Sequence, residues 1–533
     1  MNEYIHKFKL TEIHISDCYH MIQYTRKHIE EPIVRSQLVA AIRQIKDTPF
    51  RQLMTLLLTE EVVNELDFTS LPYCKPEHVK PLVSELQHAV QVSKAIQSGF
   101  DYEEKKNRYH FNANRFAQYF LSRIRMVCNE HGFLYAYTKQ GFFKILSDVE
   151  IGQLVRTLMN EAVPNSWKTR HEREVVEAIK RECFTLTEMD RIPNCINLQN
   201  GMYMVETGIL EPHNSNFLST IQLPIHYDEQ ATCPKFMMFL NEITYGDTAF
   251  IAVLQQMFGY LLSSETKCEK AFYLYGNGAN GKSVLAKIIS ILVGEQNVSS
   301  IPLAQFSTDF GLEGIIGKTV NIAPENELQH SSFNTEAFKA IVSGDGMTIH
   351  MKYRTPLTNY KSKCRLLFLG NHLPNTSDVS NGYFRRMCIL PFKRTFSEAE
   401  QNRNLIHELS EELTGIFNWA MEGFKQLKDR QFMFSHAQVI EDELFKYRLS
   451  QQPVHSFFES MMELDEHTTV KRSDVFEYYT MWCDEQNLSS TAKRTRQKFY
   501  HEMNALIHSR YLPVQTKRIQ GYEYYKGMKF KAF

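Results

Sequence analysis

The sequence predicts an α/β protein: a core with a mostly parallel sheet, preceded by largely helical N-terminal and connecting domains and followed by a winged helix. Three observations predict it. Short apolar runs alternate with helical stretches at 271–275 (AFYLY), 319–323 (TVNIA), 365–369 (RLLFL) and 387–390 (MCIL). Runs of this kind between helices read as strands of a layered α/β sheet. A glycine-rich turn, GNGANGKS over Gly276–Ser283, joins the first run to the helical stretch VLAKIISIL. Past residue 440 a helix with Val475, Tyr478, Tyr479 and Trp482 precedes another with Phe499, Met503, Leu506 and Ile507, and a hairpin tip falls near Lys517–Gly521. Helix, helix, hairpin is the order of a winged helix, a common nucleic-acid-binding module.

A chain of 533 residues is too long for one core and divides into three or four domains. With 43% hydrophobic, 12% aromatic and 23% charged residues, disordered and collagen-like classes are excluded. No apolar run reaches the roughly 18 residues of a membrane helix, and the start, MNEYIHKFKLTEIHISD, is unlike a signal peptide. A soluble cytoplasmic protein with no membrane partner is expected. The ten cysteines include no CxxC pair, so reduced thiols are expected rather than a zinc or redox site. Lys plus Arg number 60 against 61 Asp plus Glu, so overall charge predicts no partner. From Thr491 onward ten Lys/Arg face two acids, a local excess that predicts an anion-binding surface.

Residues 1–105 carry helical periodicity (Leu38, Ile42, Ile45; Leu53, Leu56, Leu57) and no chemical motif. Residues 106–225 mix helices, Phe116–Val127 and Ile151–Met159, with short strands, and the Asn200-Gly201 turn beside MYMV suggests a hairpin. Residues 226–435 hold the parallel sheet, and 440–533 the C-terminal unit.

The turn of Gly276, Asn277, Gly278, Ala279, Asn280, Gly281, Lys282 and Ser283 has the composition of a phosphate cradle. Glycines let backbone N–H groups close on phosphate oxygens, and the following helix presents its positive end. Lys282 would reach the β/γ-phosphates and Ser283 a magnesium ion. In VNIAPENEL a strand ends in two carboxylates, Glu325 and Glu327. One would hold magnesium and the other orient the attacking water, either in either role. Their strand is expected beside the strand that precedes the turn. LLFLGNHLP ends at Asn371, an amide able to bridge the γ-phosphate and that water. Arg385 and Arg386 follow, residues suited to bidentate phosphate contact across a subunit boundary.

This series resembles the superfamily 3 helicases, small AAA+ motors of viruses, phages and plasmids. It resembles most the poxvirus primase-helicase and satellite-phage primase branch, and within it the Rep replication-initiator helicases of bacterial pathogenicity islands and cassette elements. The resemblance runs from NLQNGMYMVETGILEPHN through YDEQATCPKFMMFLNEI to FRRMCILPF, about residues 195–395, and more weakly over 453–529. It implies an AAA+ core, ATP with Mg2+ as cofactors, and a homo-hexameric ring acting on DNA. Lys282 and Ser283 become the Walker A pair, Glu325 and Glu327 the Walker B acids, Asn371 the sensor, and Arg385 or Arg386 the finger reaching the neighbour's ATP. Ser283 and Glu325 are the metal's candidate ligands.

The resemblance also implies a DNA-gripping hairpin in SGDGMTIHMKYRTP, where Gly344 and Gly346 lead into an alternating stretch displaying His350, Lys352 and Arg354. These would track single-stranded DNA through its backbone. The tail, through Lys493, Arg494, Arg496, Lys498, Lys517 and Arg518, would dock on origin duplex. The alternatives are a primase-helicase and an origin-binding switch that uses ATP without unwinding. Neither an aspartate pair nor zinc-ligating cysteines of a primase are found before residue 225.

Overall fold

The computed structural model describes residues 91–531 apart from 93, 186–188, 191–194, 325–332, 377, 379, 487 and 489–491. The helical periodicity at residues 38–57 lies outside them. Contacts divide the chain into Met1–Arg191 with His213–Thr220, and Ile192–Pro212 with Ile221–Phe533.

In the first unit, β1 (Phe100–Glu103) and β2 (Arg108–Phe111) pair as a hairpin. Helix α1 (Ala113–Arg123) begins where the Asn112 side chain accepts from the Arg115 N–H. Strands β3 (Met126–Cys128), β4 (Leu134–Tyr137) and β5 (Phe143–Ile145) form an antiparallel sheet. Helix α2 (Asp148–Ala162) opens on a capping box of Ser147 and Glu150, and α3 (Thr169–Glu182) follows. Phe116, Phe120, Leu154, Leu158, Val175 and Ile179 meet in the core. The helix expected over Phe116–Val127 stops at Arg123, because Met126 and Cys128 pair with Ala136 and Leu134. The β-branched Ile124 and Val127 suit that extended exit.

The second unit opens on an antiparallel sheet of β6 (Cys195–Leu198), β7 (Gly201–Met204) and β8 (Ile209–Glu211). The suggested hairpin is here, one residue out of place: Leu198 pairs with Gly201, so the turn residues are Gln199 and Asn200. Helices α4 (Pro234–Thr244) and α5 (Thr248–Leu262) lead to β9 (Ala271–Tyr275), α6 (Lys282–Val293), β10 (Val298–Ser299) and β11 (Val320–Ala323). Then come α7 (Thr335–Ser343), β12 (Gly346–Ile349), β13 (Leu357–Lys361), β14 (Arg365–Gly370), α8 (Asn381–Phe384) and β15 (Met387–Pro391). Helices α9 (Leu405–Ser410), α10 (Leu413–Asp429) and α11 (Gln438–Gln451) complete this part.

Five of these strands make one sheet in the order β10-β11-β14-β9-β15, every pair parallel. Its two faces follow the strand period of two. Phe272, Leu274, Leu367, Leu369 and Leu390 pack against helices that include α4, α5, α6 and α10. Tyr273, Leu366, Phe368 and Ile389 pack against Phe338 and Ile341 of α7 and Tyr383 of α8. Burial on both faces is why the strands read as continuous apolar runs. Among the polar exceptions is Asn321, wholly buried. Its Oδ1 accepts from the Ser299 hydroxyl at 2.9 Å and Ile301 N–H at 2.7 Å, and its Nδ2 donates to Ile301 O at 2.9 Å. A satisfied buried amide thus clamps the two-residue β10 to β11.

Helices α5 and α10 meet at glycines. A Cβ on Gly259 would stand 2.4 Å from Ala420 O, and one on Gly423 2.4 Å from Gln255 O. Gly259→Ala is expected to force the helices apart and cost about 1–3 kcal/mol, read as a lower denaturant midpoint. An unchanged midpoint would show that the crossing tolerates a methyl.

The C-terminal part runs α12 (Pro453–Met461), β16 (Met462–Lys471), α13 (Arg472–Glu485), α14 (Arg496–Ser509), β17 (Gln515–Ile519) and β18 (Tyr522–Phe530). Phe457, Val475, Tyr479, Trp482, Phe499, Met503 and Tyr525 form its core, whereas Tyr478 is half exposed and lies against Phe530. The expected hairpin turns at Gln520-Gly521, both in the left-handed region, between paired Ile519 and Tyr522. Strand β16 completes an antiparallel sheet of order β16-β18-β17. The eight described cysteines are free thiols, and burial pushes Cys364 up to about 12. Among the described residues no helix is long and apolar enough to cross a membrane.

Candidate nucleotide site

The glycine-rich turn leaves the C-terminal end of β9 and enters α6 at Lys282. Gly276 has φ +146, Ala279 +55 and Gly281 +85. At Gly281 the space is closed as well, since a Cβ would stand 2.7 Å from Ile243 Cγ2 of α4. The turn is braced from beyond β15: Asn280 Nδ2 donates to Phe392 O at 3.2 Å, and Phe396 N–H to Ala279 O at 2.7 Å. Asn277, Gly278 and Ala279 remain exposed at its crest, and Ser283 is exposed on the first turn of α6.

Lys282 is buried. Its ammonium donates to Gly276 O, to Asn277 O at 3.3 Å, to Asn280 Oδ1 at 3.1 Å and to Asn371 Oδ1 at 3.4 Å. These four oxygens are neutral acceptors that orient the cation. Asn371 arrives because Gly370 pairs with Tyr275, bringing the end of β14 beside the turn. The Tyr273 hydroxyl, donating to His372 O at 2.8 Å, holds the chain just past it.

Glu325 and Glu327 lie outside the described residues. Their strand, β11, reaches the same sheet edge, but it is not the neighbour of β9 as expected. Strand β14 lies between them. The approach of Asn371 to Lys282 depends on that insertion.

Arg385 and Arg386 stand at the opposite edge. They precede β15, where Met387 pairs with Ala271, and Ala271 N–H donates to Arg386 O at 2.8 Å. The five residues of β9 separate them from the turn by roughly 16 Å. The arginines therefore do not reach the turn of their own chain. Arg386 is buried and donates to Ser343 Oγ and Gly382 O, whereas the Arg385 side chain is 56% exposed. Below them Tyr383 and Tyr447 share a hydroxyl contact of 3.0 Å, and Tyr447 donates to Pro374 O at 2.6 Å. Burial pushes both phenols upward, so they remain donors.

Strands β12 and β13 pair antiparallel with a register shift. Gly344, at φ +71, caps α7 before the pair begins. His350, Lys352 and Arg354 are exposed on the connecting segment. The expected alternation breaks after Met351, which is buried: Tyr353 is fully exposed between the two cations. The segment is a loop there, with Tyr353 at φ +60, and an alternating strand pattern does not single out this tyrosine.

The basic tail residues separate into two sets. Lys493 pairs with Asp484. Arg494 is folded inward, 2.6 Å from Glu502 and donating to Ala492 O at 2.9 Å and Gln451 O at 3.0 Å. Arg496 lies over the Phe476 ring. Lys498 on α14 and Lys517 and Arg518 on β17 are exposed.

Three family profiles match the chain: "D5 N terminal like" over residues 113–245, "Family of unknown function (DUF5906)" over 274–386, and "Poxvirus D5 protein-like" over 450–533. The second encloses the glycine-rich turn, Asn371 and both arginines. Over 259 residues the chain is 26% identical to "Putative helicase L207/L206" of Acanthamoeba polyphaga mimivirus, covering 46% of this chain and 26% of that protein. Over 100 residues it is 27% identical to "Uncharacterized mitochondrial protein ymf21" of Marchantia polymorpha, covering 19% of this chain and 56% of that protein. The matched stretches thus span about a quarter and just over half of these relatives. A solved structure, the A form apo structure of the NrS-1 C terminal region, aligns at 12% identity with a TM-score of 0.44, covering 76% of this chain and 96% of that one. On sequence, the similarity is to D5-type helicase and primase proteins.

Proposed function

We propose that this chain, similar to D5-type helicase and primase proteins on both sides of its glycine-rich turn, is an ATP-dependent DNA helicase. In this reading it is the replication initiator of a mobile genetic element, of the Rep type. The observation that carries it is the split arrangement of one parallel sheet: Lys282 and Asn371 meet at one edge, and Arg385 and Arg386 stand at the other. A nucleotide in the turn would take the N–H groups of 276–281 and the Lys282 ammonium, with Mg2+ on the Ser283 hydroxyl, phosphate oxygens and water. Glu325 and Glu327 would supply the metal-holding and water-orienting carboxylates, and Asn371 would hold that water against the γ-phosphate. Stabilising the transferred phosphoryl charge then needs Arg385 from a neighbour, which supports a ring, with six subunits as the expected number.

An AAA+ superfamily 3 core within 226–435 and a winged helix within 440–533 complete the proposal; the connecting domain is 106–225. On origin duplex, Lys498, Lys517 and Arg518 would make phosphate contacts. In the channel, His350, Lys352 and Arg354 would grip one strand. Lys352→Ala is expected to spare basal hydrolysis, remove most of its stimulation by single-stranded DNA and stop unwinding. Unchanged strand displacement by that variant would rule the hairpin out. The function itself is tested by strand displacement on a forked duplex with ATP beside a Lys282→Ala control. ATP-dependent unwinding lost in the control supports the motor; hydrolysis without unwinding favours an ATP-controlled origin-binding switch.

A further inference from the structure

Between α5 and β9 the chain turns at Thr266–Glu269, where Glu269 N–H donates to Thr266 O at 2.9 Å. Glu269 has φ +45, a left-handed conformation that a glutamate rarely adopts and that persists only where the surroundings hold it. The turn sets its carboxylate between two guanidinium groups. Oε2 lies 2.9 Å from Arg385 Nη2 and 3.1 Å from Arg386 Nη2. Arg386 is anchored on its far side, with Nη2 and Nε donating to Ser343 Oγ at 2.6 and 3.1 Å and Nη1 to Gly382 O at 2.7 Å. Ser343 is the last residue of α7, and only Gly344 and Asp345 separate it from β12.

We propose that Glu269 is the positioning residue for Arg385, and that Ser343, Arg386 and Glu269 form a relay tying the root of the β12–β13 hairpin to that arginine. The proposal rests on the function above and adds to it the residues through which DNA on the hairpin alters hydrolysis at the neighbouring subunit's nucleotide. The physical basis is a shared carboxylate. Charge-assisted hydrogen bonds are short and directional, so one oxygen held by two cations cannot follow one without changing its hold on the other. Displacement of Ser343 at the hairpin root releases one side of Arg386, shifts Glu269, and re-aims the exposed guanidinium of Arg385. Glu269 does not touch the nucleotide in this scheme; it acts through Arg385.

The test compares ATP turnover with and without a single-stranded oligonucleotide in the full chain. Glu269→Gln keeps the shape and removes the charge. It is expected to lower kcat about 10-fold or more with KM for ATP little changed. When mixed with Lys282→Ala, activity should return, because the Lys282→Ala subunit brings intact Arg385 to an intact turn. Ser343→Ala is expected to cut the ratio of stimulated to basal turnover by at least about threefold, with oligonucleotide affinity, measured by fluorescence anisotropy, unchanged. Normal kcat in Glu269→Gln, or its failure to recover on mixing, overturns the positioning role. A wild-type ratio in Ser343→Ala overturns the relay. Absence of ATP turnover in the unsubstituted chain refutes the function on which both rest.

Discussion

Lys282→Ala is expected to abolish ATP turnover, with a loss of about 10³-fold or more, and to abolish unwinding with it. The lysine is buried among four neutral oxygens, from Gly276, Asn277, Asn280 and Asn371. These contacts hold its ammonium at the mouth of the turn. Replacement by Ala removes the one cation of the turn and leaves those oxygens facing each other, so nucleotide affinity should fall as well. Steady-state phosphate release and equilibrium binding of a fluorescent ATP analogue read the two effects separately. Turnover within a few-fold of the unsubstituted chain would mean that the turn is not the nucleotide site.

Arg385→Ala is expected to lower hydrolysis by on the order of 10³-fold while leaving nucleotide binding nearly intact. The cause is its position, since it stands beyond the far edge of the sheet from its own turn. Arg386→Ala should also stop hydrolysis, by loosening Glu269 and Gly382 rather than by removing a phosphate contact. Mixing Arg385→Ala with Lys282→Ala gives the decisive measurement. Each variant alone is inactive, but an interface that takes its turn from one and its arginine from the other is complete, so activity should reappear. Failure to recover it, with assembly of the mixture shown by light scattering, would refute a site shared between subunits.

The parallel strands were legible because they are buried on both faces, so that a run such as AFYLY, or LLFL after Arg365, is apolar at successive positions rather than alternating. Their order was not, because nothing local in TVNIA says that β14 will insert beside β9. The glycine-rich turn was legible for the opposite reason, since its backbone needs small residues at fixed positions. The Gln520-Gly521 turn stood out similarly. Strand β16, with sequence MELDEHTTVK, was missed because it is polar and mostly exposed, its pairing with β18 broken between Asp465 and Thr469. Glu269 and Ser343 were missed because one sits in an uncommon backbone conformation and the other ends a helix. Their neighbours are set by contacts across 43 to 116 positions of chain. Arg494 was chosen for its charge, yet it spends that charge on Glu502 and two carbonyls, a choice that tertiary packing alone dictates.

The separation of Lys282 and Arg385 to opposite edges of one sheet has a consequence for dosage. On the proposed function, a lone subunit has half of each of two sites and completes neither. Turnover per molecule would then rise steeply with concentration across the assembly threshold instead of remaining constant. If the chain is such an initiator, it would stay silent at low copy number and fire only once enough chains had accumulated to close on one another, so that abundance itself would set the moment at which replication starts.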